Sequence, residues 1–486
     1  MRRYRTVLPD HCGLPGTGRV PVRAHQLRLR CYRPRQRAGL AAQRAGAGTL
    51  VGPPQRCRRG DCTGSHVLQS PQGAGTRRPQ PDRARARAVR DRLPRNRDPL
   101  VPPRRRQGGN LRYRRDDPDA RPARALNPAL TDRTGDYDIA VIGGGIHGAG
   151  VAQAAAAAGY AVLLIERSDW GAGTSSKSSK LIHGGLRYLQ SGALRLVRES
   201  LRERETLLRI APHLVHRAEF HIPVYRGSRY RPWQLYLGLT LYWALAGFGR
   251  SGRFATLPTP DTDFPGLRRS GLQALFRYCD ARTDDRRLTQ AVAASAASLG
   301  ATLACPASLR RAERTNDGWA LEIVKGHERL LVNARTLINC AGPWVDRVAA
   351  TINPAPPRPA FDLVQGTHLV LSRPIADRCY YLESPSDGRA VFFLPWQGKS
   401  LLGTTETPFH GSPDEVRTTQ AEEAYLLSVL SHYFPNAEPV VTDRMAGLRV
   451  LPQGAATVFK RSREVVLVAD SPRQPRYIAV YGGKLT

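Results

Sequence analysis

The first 135 residues contain no lysine and no glutamate, although they carry 32 arginines and 9 aspartates. They supply +23 of the chain's formal +34, and the following 351 residues only +11. A charge-selected nucleic-acid face mixes lysine with arginine and interleaves aromatics; neither habit is present. Low serine and frequent proline also argue against an amphipathic organelle-targeting peptide. On charge alone a basic arm for nucleic acid or anionic membrane stays open. The richness in Arg, Pro, Gly and Ala reads as codon bias without selection on the protein, as when GC-rich DNA is translated out of frame. The expectation is therefore a disordered Arg/Pro-rich extension over 1–135 that is not native coding sequence, with Leu130 near the true start. Peptides from this segment in a native digest would sink that hypothesis.

The cysteines form no set. Cys12, Cys31, Cys57 and Cys62 lack zinc spacing, and Cys279, Cys305, Cys340 and Cys379 are scattered, which suits burial as small apolar residues better than a disulfide or metal site. No metal is expected. There is no internal repeat. With no signal peptide ahead of the first folded segment, a reducing cytoplasmic compartment is the default.

The informative stretch begins at Ile139-Ala-Val-Ile142, a short apolar run suited to a buried parallel strand. It leads into Gly143-Gly-Gly-Ile-His-Gly148. Gly143, Gly145 and Gly148 supply a tight turn, close backbone approach to a pyrophosphate and close helix packing. The helix opening there aims free N–H groups at phosphate. Ala152 to Ala158 is strongly helix-forming, Gly159 suits the C-terminal cap, and Tyr160 to Ile165 reads as a second strand. Glu166 then stands where a carboxylate accepts hydrogen bonds from ribose hydroxyls. Glycine clusters are often mere turns; the order strand, glycines, helix, strand, acid is what favours a dinucleotide site.

Beyond it, residues 195–209 read as a helix, another starts near Thr283-Asp284-Asp285, and residues 336–344 form a strand that turns at Ala341-Gly342. Residues 361–371, 390–395 and 400–403 are candidate strands of a second domain. Trp233 to Phe248 is apolar but too short and interrupted for a confident membrane span; its Arg flanks and aromatic ends suit a headgroup interface, and a buried helix is the alternative.

Taken together, Gly143–Gly148, Thr174-Ser-Ser-Lys-Ser-Ser-Lys-Leu-Ile-His-Gly-Gly-Leu-Arg-Tyr-Leu189, Asp284–Leu288, Asn339-Cys-Ala-Gly-Pro-Trp344, Gln365-Gly-Thr-His368, Leu394-Pro-Trp396, Gly403-Thr-Thr-Glu406, Gly447-Leu-Arg449 and Tyr481-Gly-Gly-Lys-Leu-Thr486 resemble the FAD-dependent glycerol-3-phosphate dehydrogenases of the glycine-oxidase-like superfamily. The resemblance covers about 137–486. It implies an α/β fold in which a Rossmann-like FAD-binding domain is interleaved with a substrate domain on a mixed/antiparallel sheet. The implied division is 136–225, 281–345 and 441–486 for the FAD domain, and 226–280 (membrane-facing) and 346–440 for the substrate domain. The chain stops at Thr486, where family members continue into a helix and a helical C-terminal domain; that domain is expected to be absent, which puts activity of the chain as written in doubt.

The resemblance further implies oxidation of sn-glycerol 3-phosphate to dihydroxyacetone phosphate, with hydride passing to FAD and electrons onward to a membrane quinone. An oxidase using oxygen, or an inactive fragment, is the alternative. Arg187, Tyr188, Arg449 and Lys484 are the implied substrate contacts, with His368 as base or as a satisfied core histidine. Cofactor contacts are implied for Gly143, Gly145, Gly148, Glu166, Thr174, Ser175, Ser176, Ser179, Lys180, Leu181, Gly184, Gly185, Ala341, Gly342, Gly483 and Thr486; His147 and His183 read as structural or cofactor-adjacent. The implied location is cytoplasmic, peripheral or monotopic at the inner face of the cell membrane. No nucleic-acid partner is expected, and a homodimer is compatible.

Overall fold

The computed structural model describes residues 136–249, 252–258, 264–453, 464–483 and 485. The expectations placed on 1–135, Lys484 and Thr486 lie outside them.

A first sheet of nine strands is built around Tyr137–Ile142, which pairs in parallel with Val162–Ile165 on one side and Glu328–Asn339 on the other. Thr302–Ala304 extends the parallel set beyond Val162–Ile165, and Tyr477–Gly482 joins it against Glu328–Asn339. Both faces of these strands are covered, which explains the unbroken apolar runs: Val162 to Ile165 are all buried. The Ile146–Ala157 helix packs on one face through Ala149, Ala152 and Ala156, whose small side chains let it approach the sheet closely.

The long Glu328–Asn339 strand has two partners along one edge. Its first half pairs antiparallel with Trp319–Lys325, and its last residues run parallel to Tyr477–Gly482. It brings Asn339 and the turn at Ala341-Gly342 back beside the first glycine turn, where Cys340 N donates to the Ile142 carbonyl at 2.8 Å.

The second sheet has ten strands, antiparallel except where Cys379–Glu383 meets Val215–Tyr225. Phe361–Leu371 lies at its centre of chemistry, flanked by Val441–Pro452 along its whole length and by Lys399–Gly403. Two domain boundaries differ from the expected ones. Val215–Tyr225, expected in the FAD domain, pairs with Leu272–Thr283 in the second sheet. Val441–Pro452, also expected there, is a second-sheet strand. Both carry exposed charged residues in their first halves and mostly buried residues in their second.

The helix expected at Thr283 spans Asp285–Ser298, with Asp284 capping Arg287 N at 3.0 Å. The apolar segment after Tyr225 forms the Pro232–Leu245 helix, which is neither a span nor a buried core element. Leu239 and Tyr242 are buried, whereas Trp233, Tyr236, Leu237, Leu241 and Phe248 are exposed. Among the described residues no helix is long and apolar enough to cross a membrane.

Candidate active site

One cleft of about 940 Å³ gathers residues from both sheets. At its first-sheet end the glycines are required by contacts. A Cβ on Gly143, whose φ is +106°, would lie 2.6 Å from the Cys340 carbonyl oxygen; on Gly148 it would lie 1.8 Å from that of Gly143. Two turns are thus pressed together with no space for side chains, leaving the amino end of the Ile146–Ala157 helix at the cleft. Its first turn carries no acidic residue to compete with an anion. Glu166 lines the same end, its Oε2 accepting from Gly144 N at 2.7 Å.

The serine loop crosses between the sheets. Ser175 Oγ accepts from Ile146 N at 3.0 Å, and Thr174 Oγ1 donates to the Leu448 carbonyl at 2.8 Å. Ser179 Oγ lies 2.8 Å from His368 Nε2. Gly143, Gly145, Glu166, Thr174, Ser175, Ser179, Leu181, Ala341, Gly342 and Gly483 all line the cleft.

Four other expected cofactor contacts face elsewhere. Lys180, 4% exposed, gives its ammonium to Asp285 Oδ1 at 2.6 Å and the Ser176 carbonyl at 2.7 Å. A buried lysine so paired fastens the loop to a helix through its ammonium. Ser176 Oγ turns back on the Ala172 and Gly173 carbonyls. Gly184 and Gly185 lie behind the cleft wall: a Cβ on Gly184 would be 2.3 Å from the Tyr242 hydroxyl, and Gly185, at φ +78°, packs under the Tyr188 ring. Gly148 sits just behind the lining, where the packing argument places it.

At the second-sheet end, Arg187, Tyr188, His368 and Arg449 converge. The Phe361–Leu371 strand places Gly366 and His368 on one face, and Val364 is paired with Arg449 on the neighbouring strand. Arg187 and Arg449 both face Glu406 Oε1, at 3.7 and 3.9 Å. Burial alone would lower the Arg187 pKa, but Tyr188 and Glu406 hold it above its usual value. Arg449 also donates to Thr405 O and Thr404 Oγ1 at 3.2 Å each.

His368 is fully enclosed. Burial, with Arg449 and Lys180 nearby, depresses its pKa to about 3, so its ring is neutral. Its Nδ1 is buried without a hydrogen-bond partner among the described residues. Such an atom is costly unless a ligand completes it. His147, by contrast, is a half-buried ring in the glycine turn that also lines the cleft, its pKa lowered by desolvation.

Three contributors escaped sequence reading. Asp285 was visible in a motif, but nothing local marks it as the partner of Lys180. Glu406 ended another motif without a role, although an acid between two arginine-bearing segments was the available signal. Arg389 lines the cleft and donates to the Glu406 carbonyl at 3.1 Å, with no motif to announce it.

A tight double-glycine turn, a helix amino end, a ribose-competent acid and a long cleft fit a dinucleotide, and the unpartnered histidine nitrogen fits a second ligand. Comparison with known proteins agrees. The pattern of the family described as "FAD dependent oxidoreductase" matches residues 138–484. A D-erythritol 1-phosphate dehydrogenase of Brucella abortus is 36% identical over 364 residues, covering 72% of this chain and 70% of that protein. A glycerol-3-phosphate dehydrogenase of Pseudomonas aeruginosa is also 36% identical, with 72% and 69% covered. The solved glycerol-3-phosphate dehydrogenase of Bacillus halodurans, complexed with FAD, aligns with a TM-score of 0.55 at 26% identity, covering 72% of this chain and 61% of that one.

Proposed function

Because the chain belongs to the FAD dependent oxidoreductase family, with FAD as its cofactor, we propose that it oxidises glycerol 3-phosphate at its secondary alcohol to dihydroxyacetone phosphate. The observation that carries this reading is the convergence of Arg187 and Arg449 on Glu406 beside an unpartnered His368 Nδ1. Paired guanidiniums are the groups that recognise a phosphate dianion, through charge-assisted bidentate hydrogen bonds.

Alcohol oxidation removes a hydride from carbon and a proton from oxygen. FAD, when bound, supplies the hydride acceptor. Gly143, Gly145 and the first helical N–H groups would hold its pyrophosphate, Glu166 its ribose, and Ser175 and Gly483 its remaining polar edge. The proton falls to His368. With Nε2–H donated to Ser179 Oγ, Nδ1 presents its lone pair to the substrate hydroxyl. A pKa of about 3 describes a weak base in the empty cleft. A dianionic substrate beside Arg449 offsets the positive field and raises that basicity. The neighbouring Phe392 and Tyr188 rings line the cleft and limit water.

A D-erythritol 1-phosphate dehydrogenase among the relatives supports a second reading, a longer polyol phosphate in the same clamp. The ratio of kcat/KM for the two substrates separates them. Anaerobic addition of glycerol 3-phosphate to the purified flavoprotein should bleach its visible band; a band that persists with both phosphates present would refute both readings.

We further infer that electrons leave to a membrane quinone and that the protein attaches peripherally at the cytoplasmic face. The exposed Trp233, Tyr236, Leu237 and Phe248 on and beside the Pro232–Leu245 helix support this. Trp233→Ser with Leu237→Ser should release the protein from phospholipid vesicles. Unchanged co-sedimentation would remove this helix from the attachment surface, and peroxide formation without quinone would point to oxygen as acceptor.

A further inference from the structure

Behind the Arg187–Tyr188 turn lies a buried polar cluster outside the lining of that cleft. Asp280 is 2% exposed, Arg204 0% and Tyr242 1%. Arg204 Nη1 donates to Asp280 Oδ1 at 2.6 Å and to the Cys279 carbonyl at 3.0 Å. The Tyr242 hydroxyl donates to the same carboxylate, 3.0 Å from Oδ2 and 3.1 Å from Oδ1. Gly184 N completes the set, 3.1 Å from Oδ1. Burial alone would lower the Arg204 pKa, but Asp280 and Tyr242 raise it above its ordinary value. By geometry Arg204 and Asp280 are an ion pair; burial raises the Asp280 pKa above its ordinary value, and the Arg204, Gly184 and Tyr242 donors partly offset it.

Its placement is specific. Arg204 comes from the Leu194–Ile210 helix, Tyr242 from the Pro232–Leu245 helix and Asp280 from the Leu272–Thr283 strand. All three meet at the Asp280 carboxylate, which accepts from the Gly184 N–H four residues before Tyr188. Gly184 has no side chain because the Tyr242 hydroxyl and Leu201 Cδ2, 2.3 and 2.4 Å from its would-be Cβ, occupy that space. Gly185 then reverses the chain at φ +78°, its carbonyl accepts from Tyr188 N at 2.8 Å, and the turn delivers Arg187 and Tyr188 into the cleft. A simple stabilising ion pair needs no such contact with the loop, and replacing buried pairs by apolar groups often costs nothing. What an apolar replacement would lose is the hydrogen bond that fixes Gly184.

We propose that Asp280, held by Arg204 and Tyr242, is a positioning residue that sets the Gly184–Tyr188 turn and thereby the affinity of the cleft for the phosphate end of its substrate. This rests on the reading of Arg187 and Tyr188 as phosphate-binding. It acts through the loop and touches no reacting atom.

The test compares Tyr242→Phe, which removes one donor to Asp280 and keeps the ring, with Tyr225→Phe. Tyr225 is a control of like burial on the strand paired with that of Asp280, its hydroxyl donating to the Arg268 carbonyl at 2.5 Å. In the flavin-loaded protein, Tyr242→Phe should weaken glycerol 3-phosphate about tenfold in KM while kcat and flavin content stay near wild type, the pattern of lost uniform binding. Tyr225→Phe should leave KM unchanged even where it lowers the unfolding midpoint equally. The dissociation constant of inorganic phosphate, measured by calorimetry, should shift in the same ratio. An unchanged KM in Tyr242→Phe, or equal shifts in both variants, would overturn the proposal. If the wild type binds inorganic phosphate but does not oxidise glycerol 3-phosphate, the functional reading falls and the phosphate constants alone decide the positioning role. Wild-type protein that binds no phosphate at all defeats both.

Discussion

The two ends of the cleft bind by opposite means. The first-sheet end uses backbone: two glycine turns pressed together, a helix amino end and one carboxylate. The second-sheet end uses side chains carried on strands, with Arg187, Arg449, Arg389, Glu406 and His368 arriving from separate segments. The first end needs only a local run of small residues. The second needs the register of a ten-stranded sheet to be right, because a slip of one residue would turn His368 away from the cleft.

The comparison is tested hardest at the joint between the two ends. Lys180→Met leaves Asp285 buried and unpaired, which should cost about 3–5 kcal/mol of stability. Adding Asp285→Leu should restore most of it. Urea midpoints measure both, and a single variant as stable as wild type would show that the loop is not fastened by this pair.

Next in size is Gly148→Ala. Its methyl would meet the Gly143 carbonyl at 1.8 Å, and relief requires backbone movement. About 3 kcal/mol of stability and most bound flavin should be lost. Retained flavin would mean that the first end tolerates side chains, so that its contrast with the second end is false. Arg449→Ala should do the reverse, keeping flavin but lowering kcat/KM about 100-fold, near 2.7 kcal/mol of lost charge-assisted bonding. Loss of flavin from Arg449→Ala would merge the two ends into one site.

The same contrast explains what sequence could reveal. Gly143, Gly145, Gly148 and Glu166 were legible because turn, helix start and acid follow one another along the chain, each with its own steric or electrostatic reason. The strand at 361–371 and the helix after Asp284 were legible from pattern and cap. The partners of Lys180 and Gly184 were hidden for one reason: motif membership marks a residue as constrained without saying which side of the loop it faces. Lys180 meets Asp285 across 105 positions, and Gly184 meets Asp280 across 96. Only the pairing of Leu181 with Arg282 and Ile182 with Ala281 brings those partners together. The early arrival of Val215–Tyr225 in the second sheet was hidden similarly, since a strand's own sequence does not announce its sheet.

The ends are separated most cleanly by their histidines, each with its pKa lowered by burial. His147 is depressed by burial alone, whereas His368 carries burial plus the fields of Arg449 and Lys180 and falls to about 3 from 6.5. Between those two values the unfolded chain binds a proton at that residue that the folded chain refuses. The His368 contribution to stability is therefore complete above pH 6.5 and is lost as pH falls toward 3, at about 1.4 kcal/mol per pH unit. His368→Gln should flatten the acid slope of the melting temperature more than His147→Gln does. Phosphate bound in the cleft, a monoanion over most of this pH range, should also reduce the slope in wild type, since it opposes the Arg449 field, and should leave the His147 share untouched. Equal slopes in the two variants, insensitive to phosphate, would mean that His368 does not feel the clamp and that the second end is a set of separate contacts.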